Sequence, residues 1–444
     1  MKWWFSHGLS RIIRDLLKPK ATTDMKHTQT AFKTREQLEK FSGIFSPHFP
    51  KPTGKFIGDM LHGLQAAKDV KLSCIGRGLN EVIALKKTEE RLSRHLKRED
   101  LAEGIHATIA QHAAQHIGQD TLLVIDPTDI RKLYAEKMPY LATIRDGDKN
   151  ELGDGYWACA AVACENTSHR IVPLHLRLWS CEAPGFKSEN DEILAVINTI
   201  RVSAGKRGIY VIDRGGDRGI LLNHLLDNGL RFIIRLEGSR NLEWRKHTLL
   251  AEKLAAQCPM RYTEVIHRET ERDAKCYELQ YGSLDVRLPG REEALRLVVV
   301  KGFGEKPMLL LTNAAGTDSR KSLWSVVTGY LTRWRVEDAI RFIKQSYRLE
   351  DIRLLDYTRL RNMMAVVLAA VYFVAAWLGE SIKRGILVRH ITRVSKRLFG
   401  VPDFHYYALA DGLSRLLGYC GRLCARATRA RDDEHPELAL YEPG

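Results

Sequence analysis

Two stretches of this sequence are built alike. TLLVID (121–126) and GIYVID (208–213) are short, unbroken apolar runs, each closed by an aspartate. Runs of this length without polar alternation read as buried strands, and a chain with two of them must cover both with other layers. The neighbouring segments supply the cover. YWACAAVAC (156–164) and RIVPLHLRLW (170–179) predict two more strands around the turn-like ENTSH, and 189–204 predicts a helix. RGILLNHLLDNG (218–229) predicts another helix and RFIIRL (231–236) another strand. Antiparallel strands followed by alternating strand and helix describe an α/β fold, a mixed sheet flanked by helices.

On either side the pattern changes. Residues 26–118 read mostly as short helices, interrupted near PHFPKPTG (47–54). After 236, YTEVIHR, CYELQYG and LRLVVVKG suggest a mostly β insertion whose last strand is MLLLTN (308–313). Two long helices follow, about 321–348 and 358–379, and then a basic tail. The expected organisation is a helical region over 1–118, a core in two parts over 119–236 and 315–380, the insertion over 237–314, and a basic helical region over 381–444. The apolar run MMAVVLAAVYFVAAWLG (363–379) sits at the lower edge of membrane-spanning length, but it continues an amphipathic segment and is rich in alanine. It is read as a buried central helix, with no membrane partner expected.

Charge narrows the choice of partner. The 444 residues carry a formal charge of +15 and a pI near 9.4, which favours a polyanion, nucleic acid first. The excess is uneven: residues 1–100 hold 20 Lys and Arg against 11 Asp and Glu, and 381–431 hold 11 against 2. The eight cysteines form no CxxC pair and are too sparse for a disulfide scaffold, so they read as reduced thiols. The opening MKWWFSHGLSRIIRDLLKPK reads as a short amphipathic helix rather than a signal peptide.

Asp126 and Asp213, closing two strands, are candidates for one crevice at a sheet edge, where carboxylate oxygens suit hard cations such as Mg²⁺ or Mn²⁺. Two carboxylates are few for a pair of ions about 4 Å apart, the arrangement used in phosphodiester chemistry. The segment YLTRWRVEDAIRFIK (330–344) offers a third, Glu337. On one continuous helix Tyr330, Glu337 and Lys344, each seven residues apart, drift by only about 20° per step. Arg333 and Arg341, four residues to either side of Glu337, lie about 40° away. The result is a carboxylate flanked by cations, with Val336, Ile340 and Ile343 on an adjoining face for packing.

That segment matches the Tyr-x2-Arg-x3-Glu-x6-Lys signature of bacterial insertion-sequence transposases of the Asp-Asp-Glu class, which this chain resembles strongly over roughly 120–380. DPTD resembles their first catalytic motif and DRGGD their second, although Gly216 stands where an aromatic is common. The resemblance implies a ribonuclease-H-like core with Asp126, Asp213 and Glu337 as a catalytic, metal-binding triad for Mg²⁺ or Mn²⁺, two ions in all. It implies DNA contacts from Tyr330, Arg333 and Lys344. The implied activity is hydrolytic cleavage at terminal inverted repeats and joining of the 3′-hydroxyl to target DNA by a homodimer assembled on double-stranded DNA in the bacterial cytoplasm. Two alternatives stand beside it: a DNA-binding protein with a degenerate site, and a nuclease that cannot join strands.

Other residues are weighed against this frame. Asp129 and Asp217 read as caps or turn formers, and Asp338 points about 100° away from Glu337. His106, His112 and His116 read as a polar helix face, and Cys420 with Cys424 lack partners for a zinc site. Trp157 and Trp179 read as half core, half rim, while Trp334 either packs beneath the stripe or stacks on an unpaired base. Arg341 and, in the C-terminal region, Arg389, Arg393, Lys396 and Arg397 form candidate phosphate contacts, which bring affinity rather than sequence choice. The N-terminal helices are the candidate readers of the repeats.

Overall fold

The computed structural model describes residues 27–132, 135, 137–145, 151–165, 170–269, 274–314, 316, 318–379, 382–395 and 405–418. The opening amphipathic segment, Lys396, Arg397, Cys420 and Cys424 lie outside these. The expected helical region forms as α1 (His27–Ser42), α2 (Lys51–Ala67), α3 (Leu72–Leu79), α4 (Leu85–His95) and α5 (Leu101–Ala113). The break at 47–54 ends early: Pro50 and Pro52 stand at the start of α2, where a missing N–H costs nothing.

The core opens with β1 (Leu122–Arg131), β2 (Ala142–Arg145), β3 (Leu152–Cys164) and β4 (Ile171–Trp179). β1 and β3 pair antiparallel along their length, and the outer edge of β3 is shared by β2 and β4. After α6 (Glu189–Ala204), β5 (Ile209–Ile212) lies parallel to β1, and after α7 (Gly219–Asp227), β6 (Arg231–Arg235) lies parallel to β5. Three long antiparallel strands (β1, β3 and β4, with the short β2 beside β3) followed by two parallel ones, flanked by helices, are the ribonuclease-H-like arrangement. TLLV and IYVI are almost fully buried because both strands lie centrally, between other strands and beneath helices.

The insertion does not stand apart from this sheet. It contains a small hairpin, β7 (Asn241–Trp244) with β8 (His247–Leu250), then α8 (Ala251–Gln257), β9 (Tyr262–Glu269), β10 (Ala274–Val286), β11 (Leu295–Lys301) and β12 (Met308–Thr312). β12 pairs antiparallel with β6, so β12, β11, β10 and β9 extend the core into a ten-stranded sheet among the described residues. The remaining helices are α9 (Arg320–Leu331), α10 (Trp334–Ser346), α11 (Tyr357–Ala375) and α12 (Ile382–Val394), with helical residues 406–418 beyond.

The long helix expected over 321–348 is two helices. Thr328 and Thr332 donate their hydroxyls to the carbonyls of Trp324 and Thr328, at 2.8 Å each, a back-bonding that bends helices. Across the junction Arg333 N–H bonds the carbonyl of Tyr330 and Val336 N–H that of Arg333, three residues back rather than four. Tyr330 therefore closes α9 while Glu337 and Lys344 ride on α10. The single stripe from 330 to 344 is not continuous.

α11 is long and apolar enough to cross a membrane, yet 94% of its most apolar window is buried inside the fold. It packs against β4, α5 and α2, and so serves as the central helix between the N-terminal helices and the sheet. Asn362 fastens this arrangement from within. Its amide donates to the carbonyls of Leu96 and Arg98, and its oxygen accepts from Ala102 N–H at 3.0 Å.

Candidate active site

Asp126 does not close its strand. β1 continues to Arg131 against β3, and what ends at this point is the pairing with β5, whose last partner on β1 is Ile125. Pro127 is the physical reason: it has no N–H to give a further neighbour, so it suits a strand edge. Asp213 follows Ile212, the partner of Ile125, so the two carboxylates occupy successive places on adjacent parallel strands. Asp213 starts a tight 3₁₀ turn, and its side chain accepts from Gly215 N–H at 2.8 Å. The turn is close enough to β5 that a Cβ on Gly216 would lie 2.7 Å from Ile212, which explains why no aromatic stands there.

α10 packs over β1 and β3 and brings Glu337 to the same place. The link between them is Arg333. Its guanidinium lies 3.4 Å from Asp126 Oδ1 and 2.8 Å from Glu337 Oε1, with only 14% of the side chain exposed. Burial, together with the charges of Asp213 and Glu337 and against the pull of Arg333, pushes the Asp126 carboxyl up to about 7. Burial also opposes the charge on Arg333, but Asp126, Tyr330, Glu337 and Asp213 more than offset it and hold its pKa above the usual value. This is a concentrated negative site partly offset by the Arg333 guanidinium. Its oxygen donors are of the kind a hard divalent cation takes.

Among the described residues no group of three His, Cys, Asp or Glu stands at metal-holding distances. The guanidinium between Asp126 and Glu337 accounts for that spacing, since it holds the two carboxylates to either side of itself. The residues fit a divalent cation in chemistry, and Arg333 occupies the space between two of them.

The other expected positions are distributed unevenly. Tyr330 is buried, its ring 6.0 Å from the Arg333 guanidinium. Lys344 faces β1, 3.6 Å from Asp129 and 4.0 Å from Glu350. Asp129 is thus neither cap nor turn former: it lies within β1 as the acidic partner of Lys344. Arg341 is exposed and pairs with Asp338. Trp334 packs its ring against Phe303, 5.5 Å away, and Phe303 stacks on Tyr277 at 4.8 Å, joining α10 to the insertion. Arg389 is half-buried and Arg393 exposed on α12.

Asp217 also departs from the capping reading. It accepts from Glu237 N–H at 2.7 Å and from Arg240 Nε at 2.6 Å, clamping the start of the insertion to the turn after β5. His106 and His112 are not a polar helix face turned to solvent. His106 is buried and bonds the Leu176 carbonyl on β4 at 3.0 Å, and His112 bonds the Tyr372 hydroxyl on α11. Trp157 and Trp179 are cross-strand partners, Trp179 buried. One residue escaped the sequence reading altogether: Lys132, just past β1, is 5% exposed and donates to the carbonyls of Glu350 and Ile352. A lysine after Ile130-Arg131 carries no local signal of that role.

Comparison with known proteins follows the geometry. The transposase DDE domain family matches residues 117–373, more than half of the chain. No curated protein matches it. Among solved structures, a piggyBac transposase synaptic complex with hairpin DNA is similar at 11% identity and a TM-score of 0.42, over 93% of this chain and 84% of that one.

Proposed function

This chain belongs to the transposase DDE domain family, and from that premise we propose that it is an insertion-sequence transposase acting on the ends of its own element. The observation that supports this reading is the juxtaposition of Asp126 and Asp213 across β1 and β5, with Glu337 joined to Asp126 through Arg333. In this reading the three carboxylates hold Mg²⁺ or Mn²⁺, two ions in all. Such ions, when bound, activate the attacking oxygen and stabilise the leaving one.

The chain's own groups prepare the site. Asp126 and Asp213 are held by the sheet and the turn, while Glu337 sits in the first turn of the helix that begins after the Thr332–Arg333 junction. Arg333 partly offsets the charge of the carboxylates until a DNA phosphate gives its planar fork another partner. The Arg341, Arg389 and Arg393 side chains contact the backbone of the duplex, and Trp334 flanks the site. Two ends held together call for a homodimer on DNA, in which a stable one-protein, one-end complex that completes insertion has no place.

The test uses DNA bearing the element's terminal inverted repeats, a plasmid target and Mg²⁺. The wild type is expected to cut the ends and join them. Glu337→Gln, Asp126→Asn and Asp213→Asn are expected to bind the ends in a gel shift and cut none. Cutting without joined product would favour a nuclease, and binding without any cutting by the wild type a degenerate site. Arg333→Ala is expected to weaken the engaged complex and lower the salt dependence of binding by about one phosphate contact.

A further inference from the structure

The strand carrying Asp126 and the helix carrying Glu337 run in the same direction, and three cross-links join them in sequence order. Arg333 joins Asp126 to Glu337, Lys344 pairs with Asp129, and Lys132 donates to the carbonyls of Glu350 and Ile352 at 2.6 and 2.5 Å. The spacing follows from elementary geometry. Three strand residues advance about 10 Å, and so do seven helical residues from Glu337 to Lys344. The helix ends at Ser346 and Arg348 turns left-handed, so the third tie, two residues or more beyond that turn, holds the loop after the helix rather than the helix itself. Strand and helix are thus two rods tied near the start and near the end of the helix, with a third tie from the residue after the strand to the loop after the helix.

The far tie differs from the other two. It involves no carboxylate side chain: the ammonium of Lys132 holds main-chain carbonyls in the loop just past α10. Burial lowers its pKa to about 8, Asp351 and Glu350 pulling the other way, so this buried cation is placed at a cost. The same loop is held from the N-terminal helices, where Lys71 bonds Asp351 at 2.6 Å and Arg348 lies 3.6 Å from Asp69.

We propose that Lys132 is a positioning residue which, by anchoring the loop after α10 to the end of β1, sets the approach of Glu337 to Asp126. The inference rests on the reading of Asp126, Asp213 and Glu337 as one cation site. Lys132 touches neither substrate nor cation; it acts through the helix. Because it ties the loop after the helix while Arg333 ties the start of the helix, release of Arg333 to DNA leaves Lys132 and Lys344 to hold the helix in register.

Fe²⁺ with ascorbate and peroxide provides a probe independent of turnover, since radicals made at a bound ion cut the polypeptide beside its ligands. In the full-length wild-type protein bound to a terminal-repeat duplex, which draws Arg333 away from the carboxylates, cuts are expected near 126, 213 and 337, and the variants are compared in the same complex. In Lys132→Met the cuts near 126 and 213 are expected to remain and the cut near 337 to be lost. Lys132→Arg, which keeps charge and donors, is expected to restore it. End binding should be unchanged in Lys132→Met while kcat for strand cleavage falls about 100-fold, the cost of misplacing a reacting group by an ångström. Lys132→Gln, whose amide falls one bond short of the carbonyls, must show the same selective loss and serves where the methionine variant does not fold. Three cuts of wild-type strength in folded Lys132→Met or Lys132→Gln would overturn the proposal. So would loss of all three cuts together, the mark of a merely structural residue. Absence of cuts in the wild type would instead overturn the cation-site reading beneath it.

Discussion

At the scale of single residues, two aspartates four positions apart have opposite roles. Asp213 stands beside Asp126 in a crowded negative site, whereas Asp217 is 3% exposed and satisfies Glu237 N–H and Arg240. Asp217→Ala is expected to destabilise the protein by about 3 kcal/mol, because it strands a largely buried guanidinium. Asp213→Asn removes a charge from a repulsive cluster and is expected to leave stability unchanged or slightly raised. Urea unfolding of the metal-free proteins compares the two, and equal losses would contradict the division of roles. Gly216 makes a third case. Gly216→Ala places a methyl 2.7 Å from Ile212 Cγ2 and 2.8 Å from its Cβ, and overpacking of this kind costs about 1–3 kcal/mol. The same denaturation series reads it out.

At the scale of elements, the seam between α5 and β4 holds two buried histidines. The His106 and His175 rings stand 3.9 Å apart, face each other from helix and strand, and have Arg177 and Arg361 as charged neighbours. Burial lowers the pKa of His106 to about 3, and burial with the charges of His106 and Arg177 lowers that of His175 well below its usual value. The folded state therefore keeps both neutral while the unfolded chain protonates near 6.5. Their contribution to stability is complete above about pH 6.5 and is lost as pH falls from there, for His106 down to about 3, at up to about 1.4 kcal/mol per pH unit for each histidine. Thermal melting between pH 7.5 and 5 is expected to show this decline, and His175→Leu to flatten it. An unchanged slope in that variant would place the acid sensitivity elsewhere.

For the molecule as a whole, α11 makes one body of the N-terminal helices and the sheet. It buries one side against α2 and α5 and another against β4, and Asn362 satisfies three backbone groups of the 96–102 segment. A fragment beginning at 119 would expose the apolar side that α2 and α5 cover. It is expected to self-associate and bind a hydrophobic dye, which light scattering and dye fluorescence would detect. In the full chain, Asn362→Leu removes those three bonds, leaving the Arg98 carbonyl with Leu101 N–H alone, and is expected to cost roughly 2–3 kcal/mol at about 1 kcal/mol for each bond lost. A monomeric, cooperatively melting fragment would show that the two regions fold independently.

What the sequence alone determined is whatever depends on local pattern. Unbroken apolar runs announced β1 and β5, helical periodicity announced α6 and α7, and the β texture of 237–314 announced strands β9 to β12. Asp126, Asp213 and Glu337 could be singled out as candidates because their residue types and motifs are local. What depended on distant partners was not legible. Only the pairing of β12 with β6 made the insertion part of the core sheet, and only the packing of α10 over β1 turned Lys344 towards Asp129. The two-part helix had its cause in Thr328 and Thr332, yet threonines inside a helix bend it only when their hydroxyls turn back onto the carbonyls. Lys132 marks the limit most sharply. Its partners are backbone carbonyls 218 and 220 residues away, which have no side-chain identity for a sequence to display.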